Sequence, residues 1–185
     1  MEISTLINEG SKTLKNRNIL SHRLDSEILL SKILNTSREI LLTSFNKKIS
    51  IKNVNLFNHL INRRSKNEPI AYILEEKEFW SKIFYLDRSV LIPRPETELM
   101  VDKIVKIFRE KEINILDIGT GTGCILLSIL SELKNSKGTG VDISPKAIKV
   151  ANINAAKHNL EDRAQFYTRS FNEIYNKKFD LIVSN

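Results

Sequence analysis

The sequence predicts an α/β protein, with a small helical region followed by a doubly wound parallel sheet. Three observations support this fold class. Residues 1–67 show the helical spacing of apolar side chains, as in "SHRLDSEILLSKIL". After residue 95, apolar strand-like runs alternate with helical ones, which is the pattern of βαβ units. The glycine-rich stretch "NILDIGTGTGCI" lies between the first such strand and its helix.

Residues 1–67 are predicted to form short helices without a catalytic constellation. One helix should bury an apolar stripe made of Leu24, Ile28, Leu29, Leu30 and Ile33. Ser37 fits the N-cap of the next helix, because its hydroxyl can accept a free backbone N–H. Asp25 is expected at the helix surface or as a capping residue. A docking role fits this region best.

Residues 68–94 are predicted to form a β-hairpin linker. The stretches "EPIAYILEEKEFW" and "KIFYLDRSVLIP" are rich in β-branched and aromatic residues and read as two strands. Trp80 is expected to anchor this hairpin rather than to line a substrate site.

Residues 95–185 are predicted to form the sheet domain. A helix should begin near Pro95, because proline is favoured in the first helical turn. Four strands follow, in "INILDIG", "GTGVDI", "AQFYTRS" and "FDLIVSN". Residues 179–183 of the last one are nearly all apolar, which predicts a strand buried on both faces.

The glycine loop is the most informative stretch. Gly119, Gly121 and Gly123 lead from a strand directly into a helix, so a ligand can approach the backbone closely. About twenty residues later the second strand ends at Asp142, where a carboxylate can accept hydrogen bonds from ribose hydroxyls. These features together predict a site for an adenosine cofactor.

The glycine spacing indicates which cofactor. A dinucleotide fingerprint requires a third glycine where this sequence has Cys124. The spacing present, G-x-G-x-G, is the one used by S-adenosylmethionine-dependent methyltransferases. Asp117, directly before the loop, is placed to receive the ammonium group of that cofactor. Cys124 itself is expected to pack in the core.

Composition excludes other classes. The single cysteine and the scattered His22, His59 and His158 offer no metal-ligand spacing, so we expect no metal. Without an apolar run of about 18 residues, the expectation is a cytoplasmic protein with no membrane contact. The net charge of +7 fits a solvated, lysine-rich surface. No nucleic-acid-reading module is recognisable, so direct nucleic-acid binding is not expected.

Taken together, these motifs resemble those of the HemK-type (PrmC) release factor glutamine methyltransferases. "RLDSEILLSKIL" is similar to the N-terminal helical domain of the family and "EPIAYI" with "KEFW" to its hairpin. "LIPRPETELMV" resembles the signature ahead of the core, and "DLIVSN" the opening of the Asn-Pro-Pro-Tyr motif. The resemblance implies a Rossmann-like class I methyltransferase sheet, with strand order 3-2-1-4-5-7-6.

The resemblance also implies an activity and its residues. The family methylates the side-chain amide of the glutamine in the Gly-Gly-Gln loop of class 1 peptide chain release factors. By position, Asn185 would be the catalytic asparagine, in contact with both cofactor and substrate, and Thr97 and Glu98 would line the site where the two meet. The cofactor residues would be Gly119, Thr120, Gly121, Thr122, Gly123, Asp117, Asp142 and Ser170.

The sequence departs from the family pattern at three places. It ends at Asn185, which implies half a sheet with an exposed edge strand, no activity of the chain alone, and a complementary C-terminal half as partner. Arg169 stands where an acidic residue usually meets the adenine amino group, and Ser170 where a large residue often packs on the adenine. Glu75 replaces a glycine that is common in the hairpin.

Two alternatives remain open at this stage. The departures at Arg169 and Ser170 also fit a degenerate, non-catalytic fragment or docking module. An N6-adenine nucleic-acid methyltransferase shares the Asn-Pro-Pro-Tyr chemistry, because an exocyclic amine also needs its N–H groups held. The stretch "LIPRPETE" favours the release factor enzyme over the latter.

Overall fold

A computed structural model describes residues 1–174 and 178–185. The chain forms two compact units, Met1–Leu74 and Glu75–Asn185. The first contains helices α1 (Ile3–Lys15), α2 (His22–Leu34), α3 (Arg38–Thr43), α4 (Ile51–Ser65) and α5 (Ile70–Leu74). Its core is an apolar cluster in which Leu6, Leu30 and Phe57 are fully buried. Ser37 caps α3 as predicted, with its hydroxyl accepting the Ile40 N–H at 3.3 Å.

The predicted apolar stripe of helix α2 is buried only in part. Two of its five residues are fully buried, but Leu24 is 41% exposed, whereas the polar Asp25 and Glu27 are each only 4% exposed. The surface position expected for Asp25 is therefore wrong: its carboxylate pairs with Arg64, with Oδ2 2.7 Å from Nε. Burial alone would raise the pKa of Glu27, but hydrogen bonds led by that from Arg38 hold it below its usual value. This polar face can be buried because its carboxylates form ion pairs with arginines of neighbouring helices.

The predicted first strand of the hairpin is half helix. Residues Ile70–Leu74 form α5, which begins after Pro69 as helices often do, and Ile73 packs into the core of the first unit. The unit boundary consequently follows Leu74 instead of residue 67. Only β1 (Glu76–Phe79) and β2 (Lys82–Tyr85) pair as the hairpin.

The backbone has left-handed dihedral angles at two places in the hairpin, its turn and the residue before β1. Trp80 and Ser81 form its two-residue turn with φ of 52° and 54°, the signs that match the twist of paired strands. Glu75, directly before β1, has φ of 56°. A position with positive φ favours glycine, so Glu75 is strained at the place where the resemblance leads us to expect glycine.

The second unit continues with a 3₁₀ turn (Pro95–Thr97) and α6 (Glu98–Phe108). These precede β3 (Asn114–Ile118), α7 (Cys124–Glu132), β4 (Lys137–Asp142) and α8 (Pro145–Lys157). Next come β5 (Ala164–Thr168), a 3₁₀ turn (Phe171–Glu173) and β6 (Leu181–Ser184). The four later strands form one parallel sheet in the order β5-β4-β3-β6. This order matches the first four strands of the expected arrangement, 3-2-1-4.

The sheet brings its loops together at one edge. Because all four strands are parallel, the loops after β3 and β4 and the residue after β6 lie at the same carboxyl edge. Strand β6 pairs with β3 and, among the described residues, with no other strand. Its predicted burial on both faces is wrong, since Val183 is 5% exposed but Ile182 is 60% exposed.

Within residues 1–174 and 178–185, no helix is long and apolar enough to cross a membrane. The same residues contain no group of three or more His, Cys, Asp or Glu side chains placed to hold a metal ion.

We expect Glu75→Gly to stabilise the chain. A left-handed conformation costs a non-glycine residue about 1–2 kcal/mol, while glycine loses somewhat more entropy on folding. The net gain in the free energy of unfolding should be about 0.5–1 kcal/mol, measured by urea denaturation. Glu78→Gly, at an exposed position inside β1, is the matched control and should destabilise instead.

Candidate functional site

The glycine loop joins β3 to α7 and is tied to the neighbouring strand. The N–H groups of Gly119 and Thr120 both donate to the Val141 carbonyl of β4, at 2.8 and 3.0 Å. Gly119, Gly121 and Gly123 have φ of 71°, 53° and 76°. Side chains rarely tolerate this region, so the path of the loop depends on glycine at all three positions.

The three glycines face different surroundings. A Cβ atom on Gly119 would meet nothing within 4 Å, and one on Gly121 only the Gly119 carbonyl at 3.9 Å. A Cβ on Gly123 would lie 3.2 Å from both Leu127 and Phe166. The first two glycines therefore leave open space along the loop, and the third lets the loop pack closely on the core.

Asp117 lies beneath the loop and is 1% exposed. Its Oδ2 accepts the Thr120 hydroxyl at 2.7 Å, while its Oδ1 is buried without a hydrogen-bond partner. Burial raises the pKa of Asp117 to about 6, although the hydrogen bond from Thr120 and the backbone N–H of Leu126 act in the opposite direction. A buried acid with one unpaired oxygen under an open loop fits a cationic ligand group.

Asp142, at the end of β4, holds the loop from the other side. Its Oδ2 accepts the Gly121 N–H at 3.1 Å and its Oδ1 the Ser144 N–H at 2.9 Å. Each carboxylate oxygen has a further lone pair, so the group can still accept hydroxyl hydrogens. The predicted ribose acceptor thus also fixes the loop, which the sequence did not indicate.

Asn185 and Thr97 meet although 88 residues separate them. The Asn185 amide donates from Nδ2 to the Thr97 hydroxyl oxygen at 2.9 Å. Both residues line a pocket with the glycine loop and the segment before α6, namely Leu91, Ile92, Pro93, Arg94, Gly119, Thr120, Gly121, Thr122, Cys124 and Ile125. The structure therefore brings together five of the predicted loop and signature residues with the predicted catalytic one.

Glu98 is placed differently from its neighbour Thr97. Its Oε1 accepts the backbone N–H of Trp80 at 2.9 Å, and it is not among the residues that line the pocket. The indole Nε1 of Trp80 donates to Glu132 at 3.0 Å. Trp80 anchors the hairpin turn to α6 and α7, as predicted, and Glu98 takes part in this anchor.

The two departures after β5 lie at the carboxyl edge but outside the pocket. The Arg169 N–H donates to the Asp142 carbonyl at 3.0 Å, and its guanidinium lies 5.5 Å from the centre of the Tyr167 ring. Ser170 follows as the residue before the 3₁₀ turn Phe171–Glu173.

Cys124 has the properties of a core residue. It is 7% exposed at the first position of α7, and burial raises the pKa of its thiol to about 12. A thiol in this state is a poor nucleophile. The prediction that Cys124 packs in the core is confirmed.

Sequence reasoning missed Asn154, which is fully buried on α8. Its amide binds the backbone of Tyr85 in the hairpin and the Thr122 carbonyl in the glycine loop. Nothing in "ANINAAKHN" distinguishes it from Asn152, because the partners of its side chain lie 69 and 32 residues away.

Comparison with known families matches the two units separately. Residues 5–74 match the PrmC N-terminal domain, and residues 109–185 match a methyltransferase domain. The second unit is thus a methyltransferase domain with a Rossmann-like sheet. The expected cofactor of such a domain is S-adenosylmethionine, in agreement with the glycine spacing.

Individual relatives show which kind of methyltransferase the chain is similar to. The chain is 40% identical to the release factor glutamine methyltransferase of Leptospira interrogans, over 99% of this chain and 66% of that protein. It is 42% identical to the enzyme of the same name from Buchnera aphidicola subsp. Schizaphis graminum, over 90% of this chain and 62% of that protein. The chain is therefore a homologue of the release factor glutamine methyltransferases, as its motifs predicted.

Two other proteins match with lower sequence identity or over a smaller share of the chains. A bifunctional methyltransferase of Rickettsia bellii is 37% identical over 99% of this chain, which spans 38% of that protein. An RNA methyltransferase from Salinibacter ruber, solved in complex with S-adenosyl-L-homocysteine, matches with a TM-score of 0.44 and 22% identity, over 50% of this chain and 60% of that one. The chain thus spans less than two thirds of each of these relatives.

Asp117 should make stability depend on pH in a defined direction. Its folded pKa of about 6 lies above the ordinary value of 3.8, so the folded state binds the proton more tightly. Between high and low pH, protonation of Asp117 adds about 3 kcal/mol to the free energy of unfolding. This contribution is complete below pH ~4, falls as the pH rises toward 6, and is lost above pH ~6.

The measurement is the free energy of unfolding of the wild type and of Asp117→Asn between pH 4 and 8. The difference between the two proteins removes the contributions of all other groups. The wild type should lose stability relative to the variant as the pH rises through this range. A difference that is independent of pH would show that Asp117 titrates normally.

Proposed function

We propose that this chain belongs to an enzyme that methylates the side-chain amide of the Gly-Gly-Gln glutamine in class 1 peptide chain release factors. S-adenosylmethionine would be the methyl donor. The observation that carries the proposal is the hydrogen bond between Asn185 and Thr97 at the edge of the glycine-loop pocket. It sets an oriented amide beside the loop that fits the cofactor.

The residues of the loop fit the cofactor. The open space at Gly119 and Gly121 would take the methionine part, with its ammonium group near the unpaired Oδ1 of Asp117. Asp142, already held by two backbone N–H groups, would accept the ribose hydroxyls. When bound, the cofactor would supply a methyl group on a positively charged sulfur: the methyl group would pass to the amide nitrogen, which gives up one hydrogen as a proton to solvent, and the sulfur would leave as a neutral thioether.

The glutamine amide needs orientation more than a base. Its nitrogen is a weak nucleophile, because the lone pair is delocalised into the carbonyl group. The Nδ2 of Asn185 is engaged by Thr97, so its Oδ1 is the atom left to accept an N–H of the substrate amide. Fixing that acceptor before the substrate arrives lowers the entropy that must be lost in the reaction.

The partners follow from this function. Class 1 release factors are the protein substrates, and the helical unit of residues 1–74 is the proposed docking domain, within the cytoplasm where translation occurs. Each relative compared above extends beyond the part that this chain matches, and the outer edge of β6 pairs with no strand of the described residues. We therefore include a complementary C-terminal region among the partners.

Calorimetry with S-adenosylmethionine is the first test. The chain should bind the cofactor at one site, and Gly119→Val, which fills the open space with a side chain strained at positive φ, should abolish binding. Leu20→Val, at a residue 98% exposed in the other unit, is the control. Failure of the wild type to bind would favour the degenerate, non-catalytic alternative.

Methyl transfer is the second test. The chain, alone and mixed with the C-terminal third of the Leptospira relative, is offered a class 1 release factor, the same factor with its Gly-Gly-Gln glutamine replaced, and DNA. When the methyl group of S-adenosylmethionine is labelled, the label should enter only the intact release factor. The mixture of the two chains should be the active form. Label in DNA would instead support the N6-adenine alternative.

Thr97 provides a sharper variant in the same assay. Thr97→Val keeps the shape of the side chain and removes the hydroxyl that holds Asn185. The loss of one hydrogen bond of about 1–1.5 kcal/mol should lower kcat roughly tenfold. The Kd for S-adenosylmethionine should change less than about twofold, since one hydrogen bond outside the loop is lost. Thr97→Ser retains the hydroxyl and is the matched control; an equal loss of kcat in both variants would show that the contact does not matter.

A further inference from the structure

Asn154 joins two segments that are far apart in the sequence. Its Oδ1 accepts the Tyr85 N–H at 2.7 Å, and its Nδ2 donates to the Tyr85 carbonyl at 2.8 Å. The same Nδ2 donates to the Thr122 carbonyl at 2.9 Å. The side chain is fully buried, so no solvent can replace any of these three partners.

These bonds use the amide completely. The Nδ2 group has two hydrogens, and each is donated to a different carbonyl. A flipped amide would place hydrogens against the Tyr85 N–H and an oxygen against the Tyr85 and Thr122 carbonyls. Only one orientation of Asn154 is therefore compatible with this environment, which makes it a rigid connection between the end of β2 and the glycine loop.

The connection acts on a single peptide group of the loop. The peptide between Thr122 and Gly123 has its carbonyl held by Asn154 and its N–H held by the Thr120 carbonyl at 2.8 Å. Gly123 has φ of 76°, in a region that glycine adopts readily and other residues rarely do, and its backbone can reach more conformations than that of any other residue. A peptide flanked by such a residue can rotate easily unless both of its ends are bonded.

We propose that Asn154 is a positioning residue of the cofactor loop, which ties the loop to the hairpin so that the two segments open together. The proposal rests on the function proposed above for its effect on S-adenosylmethionine, but the coupling of loop and hairpin does not. Without Asn154, the Thr122–Gly123 peptide loses one of its two hydrogen bonds. The end of β2 loses the two hydrogen bonds that join the Tyr85 backbone to Asn154.

Amide hydrogen exchange in the ligand-free chain tests the coupling. In Asn154→Ala, protection should fall roughly tenfold or more at both Tyr85 and Gly123, the change expected when a buried hydrogen bond is lost. Protection at Leu30, in the core of the other unit, should not change. The matched control is Asn152→Ala, because Asn152 is exposed on the same helix and its amide donates to the nearby Ile148 carbonyl.

Cofactor affinity is the second readout. The Kd for S-adenosylmethionine should rise roughly tenfold in Asn154→Ala and stay unchanged in Asn152→Ala. Should Asn154→Ala fail to fold, Asn154→Asp takes its place, because it keeps the size of the side chain and, when protonated, one donor. The protection factors of Tyr85 and Gly123, which are corrected for the pH dependence of intrinsic exchange, should be low at neutral pH and rise together as the carboxyl group is protonated.

The outcomes separate the two proposals. Loss of protection at Tyr85 alone, or equal effects of the variants at positions 152 and 154, would overturn the positioning role. Joint loss of protection at Tyr85 and Gly123 supports it. If the wild-type chain binds no S-adenosylmethionine but Asn154→Ala shows this joint loss, the proposed function is refuted and the coupling is established.

Discussion

The two hydrogen bonds from the glycine loop to the Val141 carbonyl are the constraint on which the site depends. They bend the chain sharply at the end of β3 and keep the loop beside β4. Asp142, the next residue along β4, then reaches back to the Gly121 N–H. The order of the strands makes this possible, because β3 and β4 are neighbours and parallel, so their carboxyl ends meet.

Features that depend on local chemistry could be predicted from the sequence. The loop follows from three glycines between a strand and a helix, and the Ser37 cap from a hydroxyl at the right distance before a helix. The alternation of strands and helices predicted a parallel sheet, and the family resemblance supplied its order. These features depend on a few consecutive residues or on a pattern repeated along the chain.

Features that depend on distant partners could not be predicted. Asp25 can be buried because Arg64, on another helix, neutralises it and the Ser21 hydroxyl donates to it. Residues 70–74 became helical because Ile73 fills the core of the first unit, which outweighed their β-branched composition. Asn154 shows the same limit at the site. Its role arises from two backbone segments that the fold brings to one helix face, and a single sequence contains no trace of their proximity.

Asp117 shows why a site can oppose the stability of its own fold. Burial without a partner for Oδ1 disfavours the ionised carboxyl, so at neutral pH the free chain contains an unfavourable charge. A carboxylate with hydrogen bonds to both oxygens would destabilise the fold less. It would, however, have no free oxygen left for a ligand. In the proposed complex, an ammonium group near Oδ1 would offset this penalty, and the affinity for a cation would then come from a charge already in place when the ligand binds. The same reasoning explains the adjacent glycines, since a loop that packed tightly everywhere would leave no room for the group that Asp117 attracts.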